Sequence, residues 1–224
     1  MTRILARREL APLLDHSVLK PEATASDIVS GAEVVCTWRI GYYCVQPCWV
    51  SLAARALAGS GAKVASVVGF PHGVDRPDVK ANAASLAAAD GAREIDMVQN
   101  VGALRSGRAA WVAADIEAVV RAVPGIPVKV ILEATVLTEE EKTLACRLAV
   151  DAGAAFVKTS TGFHPAGGAT AADVRLMRAV VGPSVGVKAS GGIRTLGDVL
   201  SMLDAGANRI GTSASAAILG AMPE

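Results

Sequence analysis

The chain has 224 residues, 52% of them hydrophobic and 4% aromatic, and its 22 Lys and Arg face 21 Asp and Glu for a formal net charge of +1. Such a balance excludes the broad basic face that nucleic-acid binding requires. The mean hydropathy of +0.41 invites a membrane reading, but the longest uncharged stretch, residues 40–54, is 15 residues long, short of the roughly 18 that a spanning helix needs.

Arg3, Arg7, Arg8 and Glu9 come first, with no apolar core between them, so no secretory leader is expected and the cytoplasm is the default compartment. Eight short apolar runs then alternate with longer Ala- and Leu-rich segments. That alternation predicts strands buried on both faces, with helices between them. The first run, residues 13–16, contains Asp15 and His16; Thr24, three residues before Asp27, has the spacing of a helix-capping box. The second run is 42–45. Near it stand Cys36, Cys44 and Cys48, with Cys146 far downstream. Cys44 and Cys48 lack a matching second pair, so buried free thiols are expected rather than a zinc site. Run 64–68 follows.

Gly91 precedes run 94–98, in which Asp96 sits between Ile95 and Met97. Run 128–133 carries Lys129 near its upstream end, a position expected to be structural. Thr138 then opens a helix through Glu139, Glu140 and Glu141. Gly153 leads into run 156–159 with Lys158; Thr170 and Asp173 open the next helix; run 186–189 holds Lys188. Thr195 with Asp198 forms another capping pair, and Gly206 precedes the last run, 208–211. A glycine after a helix can take the left-handed conformation that stops it. No linker divides the chain. The pattern predicts one domain over residues 1–224, an α/β fold built as a single eight-stranded parallel β/α barrel.

The three glycines also set a register. Five residues after Gly91, Gly153 and Gly206 come Asp96, Lys158 and Gly211, each expected near the carboxyl end of its strand, where barrels carry their chemistry. Phe156-Val157-Lys158-Thr159-Ser160 and Gly186-Val187-Lys188-Ala189-Ser190 read nearly alike, so two lysines are expected on adjacent strands. At roughly 4 Å and an effective dielectric near 20, their charges repel by about 4 kcal/mol, about three pKa units. One amine could thereby become nucleophilic toward a carbonyl. An isolated strand lysine would more simply pair with a carboxylate; two matched ones point to catalysis. The symmetry of the two motifs leaves either lysine as the nucleophile. Asp96 can hold their charge and relay protons, and Asp15 occupies a similar place in the first run.

Glycine turns follow the late runs at Gly162, at Gly191-Gly192 and at Gly211-Thr212-Ser213. Beside two lysines, after late barrel strands, they suggest a phosphate cradle. His16, His72 and His164 are scattered and form no metal-ligand set. No dinucleotide fingerprint follows the first run. No metal or other cofactor is expected.

Six stretches in this order resemble the deoxyribose-phosphate aldolase family over nearly the whole chain. They are Leu14-Asp15-His16 with Leu19-Lys20-Pro21; Val68-Gly69-Phe70-Pro71-His72-Gly73; Glu94-Ile95-Asp96-Met97-Val98; Phe156 through Gly162; Gly186 through Thr195; and Asn208-Arg209-Ile210-Gly211-Thr212-Ser213. The resemblance implies a class I aldolase that reversibly cleaves 2-deoxy-D-ribose 5-phosphate to D-glyceraldehyde 3-phosphate and acetaldehyde, in deoxyribonucleotide breakdown. It implies that Lys158 forms the Schiff base, that Lys188 perturbs it and assists proton transfer, and that Asp96 is the acidic relay. Gly162, Gly191, Gly192 and Ser213 correspond to phosphate contacts. Phe163-His164-Pro165 departs from members that place a lysine near the phosphate. A lysine-imine barrel acting on another sugar phosphate or an unphosphorylated aldehyde is therefore the alternative. The chain ends at Glu224 without the tyrosine-bearing tail of some members, so proton exchange is expected to use Asp96, Lys188 and water. Partners are expected to be small molecules, with Ala-rich outer helices compatible with a homo-oligomer, a dimer or tetramer.

Overall fold

The computed structural model describes residues 6–223. Eight parallel strands close into a barrel in chain order. They are β1 Leu14–Val18, β2 Tyr42–Val45, β3 Lys63–Val68, β4 Glu94–Val98, β5 Val128–Ile131, β6 Phe156–Lys158, β7 Gly186–Ser190 and β8 Arg209–Thr212. Around them run α1 Arg7–Leu10, α2 Ala25–Trp38, α3 Val50–Ala56, α4 Pro77–Ala89, α5 Val101–Arg105, α6 Ala109–Ala122, α7 Glu139–Asp151, α8 Ala171–Val181, α9 Leu196–Asp204 and α10 Ser215–Gly220. Every predicted run contains or overlaps one strand. The architecture is the β/α barrel that the alternation predicts.

Two apolar layers hold it. Side chains alternate across a strand. Ile95 and Met97 of β4 therefore join the outer core with Ile28, Ile116 and Ala145 of the helices, and Asp96 between them faces the interior. Inside, Cys44, Ala65 and Val67 pack with Leu19 and, at the edge, Phe70. Each fully buried Val, Leu or Ile contributes roughly 1.5–3 kcal/mol. No helix of the described residues is long and apolar enough to cross a membrane.

Local signals set the element ends. Thr24, Thr138, Thr170 and Thr195 each accept the backbone N–H of the acid three residues on. Gly91, Gly153 and Gly206 have φ of +115°, +86° and +108°, conformations that stop a helix at little cost only for glycine.

Three expectations need correction. Cys44 and Cys146 are buried, but Cys36 and Cys48 are exposed, because they fall on the outer faces of α2 and of the turn before α3. Asp96 lies mid-strand in β4 rather than at its carboxyl end; its register partner is Lys129. Run 128–133 stops as a strand at Ile131, because Glu133 turns left-handed at φ 54°, ψ 57°.

Candidate active site

The barrel register brings the two lysines together: Lys158 of β6 pairs with Lys188 of β7, and Asp15 of β1 pairs with Gly211 of β8. Above them opens a cavity of about 810 Å³ at the carboxyl ends of the strands. Its floor holds Asp15, Lys158, Lys188 and Gly211, with Cys44 at one side; Gly162, Gly191, Gly192 and Ser213 line its wall. Asp96, fully buried, lies beneath this floor and reaches it through the amines.

Asp96 joins the two lysines. Its Oδ2 accepts from Lys158 Nζ at 2.7 Å and from Lys188 Nζ at 2.7 Å. Lys188 also donates to Asp15 Oδ2. Here the symmetry of the two motifs breaks. Lys188 has two carboxylates, while Lys158 has only a share of one, Asp96, which Lys129 also contacts. Burial disfavours the charged amine at both positions. At Lys188 the attraction of Asp15 and Asp96 outweighs burial and holds its pKa above the ordinary lysine value. At Lys158 burial, reinforced by repulsion from Lys188, outweighs Asp96 and holds the pKa below it. Asp96 itself stays ionised despite burial because Lys129, Lys158 and Lys188 face it, which keeps its pKa well below the usual carboxylate range. Burial pushes the Cys44 thiol up to about 11.

The glycine wall has free donors. The backbone N–H groups of Gly162, Gly191, Gly192 and Ser213 take no hydrogen-bond partner among the described residues. Gly162 and Gly191 adopt φ of +81° and +88°, and a Cβ on Gly191 would stand 2.9 Å from Gly168 Cα and 3.1 Å from Gly162 Cα. Bare backbone is what allows the two turns to meet there.

Sequence reasoning missed two contributors. Glu133 accepts Thr161 N–H at 3.2 Å and Thr161 Oγ1 at 2.5 Å, and Thr161 Oγ1 accepts Phe163 N–H at 3.1 Å. It thus anchors the turn that carries Gly162. Its only sequence signal is an acid just past a strand end. Arg209, at the start of β8, is buried and donates to Asp15 Oδ1 at 3.0 Å and to Glu94 Oε2 at 3.0 Å. Its local signal, a charged residue inside the predicted run 208–211, is the one that singled out the two lysines. Phe163, 43% exposed, packs edge-on against Phe70 with ring centroids 5.2 Å apart at the cavity rim. Among the described residues, no group of three His, Cys, Asp or Glu side chains is arranged to hold a metal ion.

Residues 10–221 match the DeoC/LacD family of aldolases. The chain is 52% identical over 214 residues to a deoxyribose-phosphate aldolase of Halalkalibacterium halodurans, covering 95% of each protein. It is 51% identical over 211 residues to that of Bacillus subtilis, covering 94% of each. A tetrameric deoxyribose phosphate aldolase from Aeropyrum pernix superimposes with a TM-score of 0.88 at 30% identity, over 96% of this chain and 91% of that one. A lysine pair bridged by one carboxylate below the mouth of a parallel barrel thus lies in a sequence about half identical to such aldolases over 94–95% of its length, and the chain belongs to the DeoC/LacD family of aldolases.

Proposed function

We propose that the protein is a lyase, a class I aldolase that reversibly cleaves 2-deoxy-D-ribose 5-phosphate to D-glyceraldehyde 3-phosphate and acetaldehyde through a Schiff base on Lys158. The observation that carries this reading is the unequal pairing of the two lysines: Lys158 is the amine left with least counter-charge. Its lone pair attacks the aldehyde carbon of the open-chain sugar. The carbinolamine loses water, and Lys188, kept as an ammonium by Asp15 and Asp96, is the neighbouring proton donor. The protonated imine then withdraws electrons. A base, water in this cavity, takes the C3 hydroxyl proton; the C2–C3 bond breaks, and its electron pair forms an enamine as glyceraldehyde 3-phosphate leaves. Protonation of the enamine carbon and hydrolysis of the imine release acetaldehyde and restore the amine. Asp96 holds both amines and exchanges protons between them. The phosphate is bound by the free N–H groups of Gly162, Gly191, Gly192 and Ser213.

The test is incubation with acetaldehyde and borohydride, followed by mass mapping. The reduced adduct is expected on Lys158, and Lys158→Leu is expected to abolish both trapping and turnover. An adduct on Lys188 would reverse the roles of the lysines.

Phe163 favours a second reading, action on unphosphorylated aldehydes, because an aromatic ring at the rim adds apolar surface and no cation. Equal kcat/KM for phosphorylated and unphosphorylated deoxyribose would select it. We further propose that residues 1–224 form one domain, that the protein works in the cytoplasm in deoxyribonucleotide breakdown, and that it is a homo-oligomer, as its A. pernix relative is.

A further inference from the structure

Below the cavity the barrel interior is filled by a column of ionised side chains. Arg209 holds Asp15 and, through both terminal nitrogens, Glu94. Lys129 donates to Asp96 Oδ1 at 2.8 Å and stands 2.5 Å from Glu94 Oε2. Lys188 bridges Asp15 and Asp96. Glu94, Lys129 and Arg209 lie outside the cavity lining and at the amino ends of their strands. All are buried, Arg209 to 7% exposure and the others to 3% or less.

The stoichiometry of this column is informative. Among the described residues its carboxylates are three: Asp15, Glu94 and Asp96. Its cations other than Lys158 are also three: Lys129, Lys188 and Arg209. Among the described residues, each of these three touches at least two carboxylates, whereas Lys158 touches only Asp96. The remaining strands add no charge: β2 contributes the neutral thiol Cys44, and β3 contributes Ala65 and Val67. The interior is therefore neutral when Lys158 is an uncharged amine, and carries an uncompensated positive charge when it is protonated. Uncompensated charge in a buried site is costly.

We propose that Glu94, Lys129 and Arg209 are positioning residues that keep Lys158 a free nucleophile by completing the charge balance of the barrel interior. Lys129 is then more than the structural lysine its place in the strand suggests. The inference rests on the reading of Lys158 as the imine-forming residue, and it makes opposite predictions for neighbouring substitutions.

Lys129→Met leaves three carboxylates facing Arg209 and Lys188, so Lys158 becomes the third counter-ion. The pH profiles of kcat/KM and of acetaldehyde trapping by cyanoborohydride on Lys158 are expected to move to alkaline pH by about one unit or more, an approximately tenfold loss at pH 7. Glu94→Gln removes an anion and is expected to move both profiles to acid pH. The double variant restores the balance, with Asp15 and Asp96 against Lys188 and Arg209, and its profiles are expected to return toward those of the unmodified protein. Residues that only stabilise the barrel would lower activity equally at every pH, with losses that add in the double variant; that outcome, or shifts of both single variants in one direction, overturns the inference. If Lys129→Met does not fold, Glu94→Gln decides alone: an acid shift supports the inference, and an unchanged or alkaline profile overturns it. Absence of any adduct on Lys158 in the unmodified protein would instead defeat the parent reading, and this inference with it.

Discussion

Lys158 and Lys188 occupy matched positions in matched motifs, and one contact separates their chemistry. Asp15, which lies 173 residues before Lys188 in the chain, gives Lys188 the second carboxylate that Lys158 lacks. Removing Lys188 therefore does two things. It takes away the repelling charge, and it leaves Asp96 Oδ2 to Lys158 alone, with Lys129 still on Oδ1. Both raise the affinity of Lys158 for its proton. Lys188→Leu is expected to lower kcat at pH 7 by orders of magnitude, while slow trapping of acetaldehyde on Lys158 persists and accelerates toward alkaline pH. Trapping that disappears at every pH, as with Lys158→Leu, would mean that Lys188 carries the imine. The pair itself was legible in the sequence, because two lysines in apolar strands at equal spacing from serine are conspicuous. Their inequality was not. It depends on Asp15, which only closure of β8 onto β1 brings to Lys188.

At the scale of elements, the same division holds between local and distant signals. Helix starts at Thr24, Thr138, Thr170 and Thr195 and stops at Gly91, Gly153 and Gly206 follow from contacts three or four residues apart, and all of them were readable. The left-handed turn at Glu133 was not, since its cause is Thr161, 28 residues away. Glycine would adopt that conformation at less steric cost, but Glu133 is held there by two bonds that fix the turn after β6. That turn meets the one after β7 through bare backbone. Gly191→Ala places a methyl group 2.9 Å from Gly168 Cα at a φ of +88°, so the two turns must part. The expected result is a KM for the phosphorylated sugar raised about tenfold or more, equivalent to about 1.4 kcal/mol of lost binding, with a smaller change in kcat. Steady-state kinetics on phosphorylated and unphosphorylated deoxyribose read the split. Equal losses on both substrates would show that the cradle does not bind phosphate.

Across the whole molecule, barrel closure packs ionisable groups of β1 and of β4 to β8 into the interior and leaves His16 at the seam between β1 and α10, and this makes stability depend on pH in separable windows. Asp15 and Asp96 are held below the ordinary carboxylate value of 3.8 by the cations around them, against the cost of burial. The stability they contribute is present above that value and is lost as pH falls through their depressed values, so it matters only in strong acid. His16 acts in a higher window. It sits on β1 at 7% exposure, stacks on Tyr43 at 5.9 Å and has Nδ1 3.1 Å from Ser215 Oγ of α10. Burial lowers its pKa from 6.5 to about 4. Between those values the unfolded chain binds a proton that the folded chain refuses, so stability is full above pH 6.5 and declines as pH falls toward 4. The shift corresponds to roughly 3 kcal/mol, a sizeable share of a domain's net stability. Urea unfolding followed at pH 7, 6, 5 and 4.5 is expected to show this decline, because the depressed carboxylates of the interior remain ionised throughout the range. His16→Asn keeps a polar group beside Ser215 and removes the titrating one. Its stability at pH 7 is expected to fall through lost packing, but its slope between pH 6.5 and 4.5 should flatten. A slope equal to that of the unmodified protein would place the acid sensitivity elsewhere than at the seam.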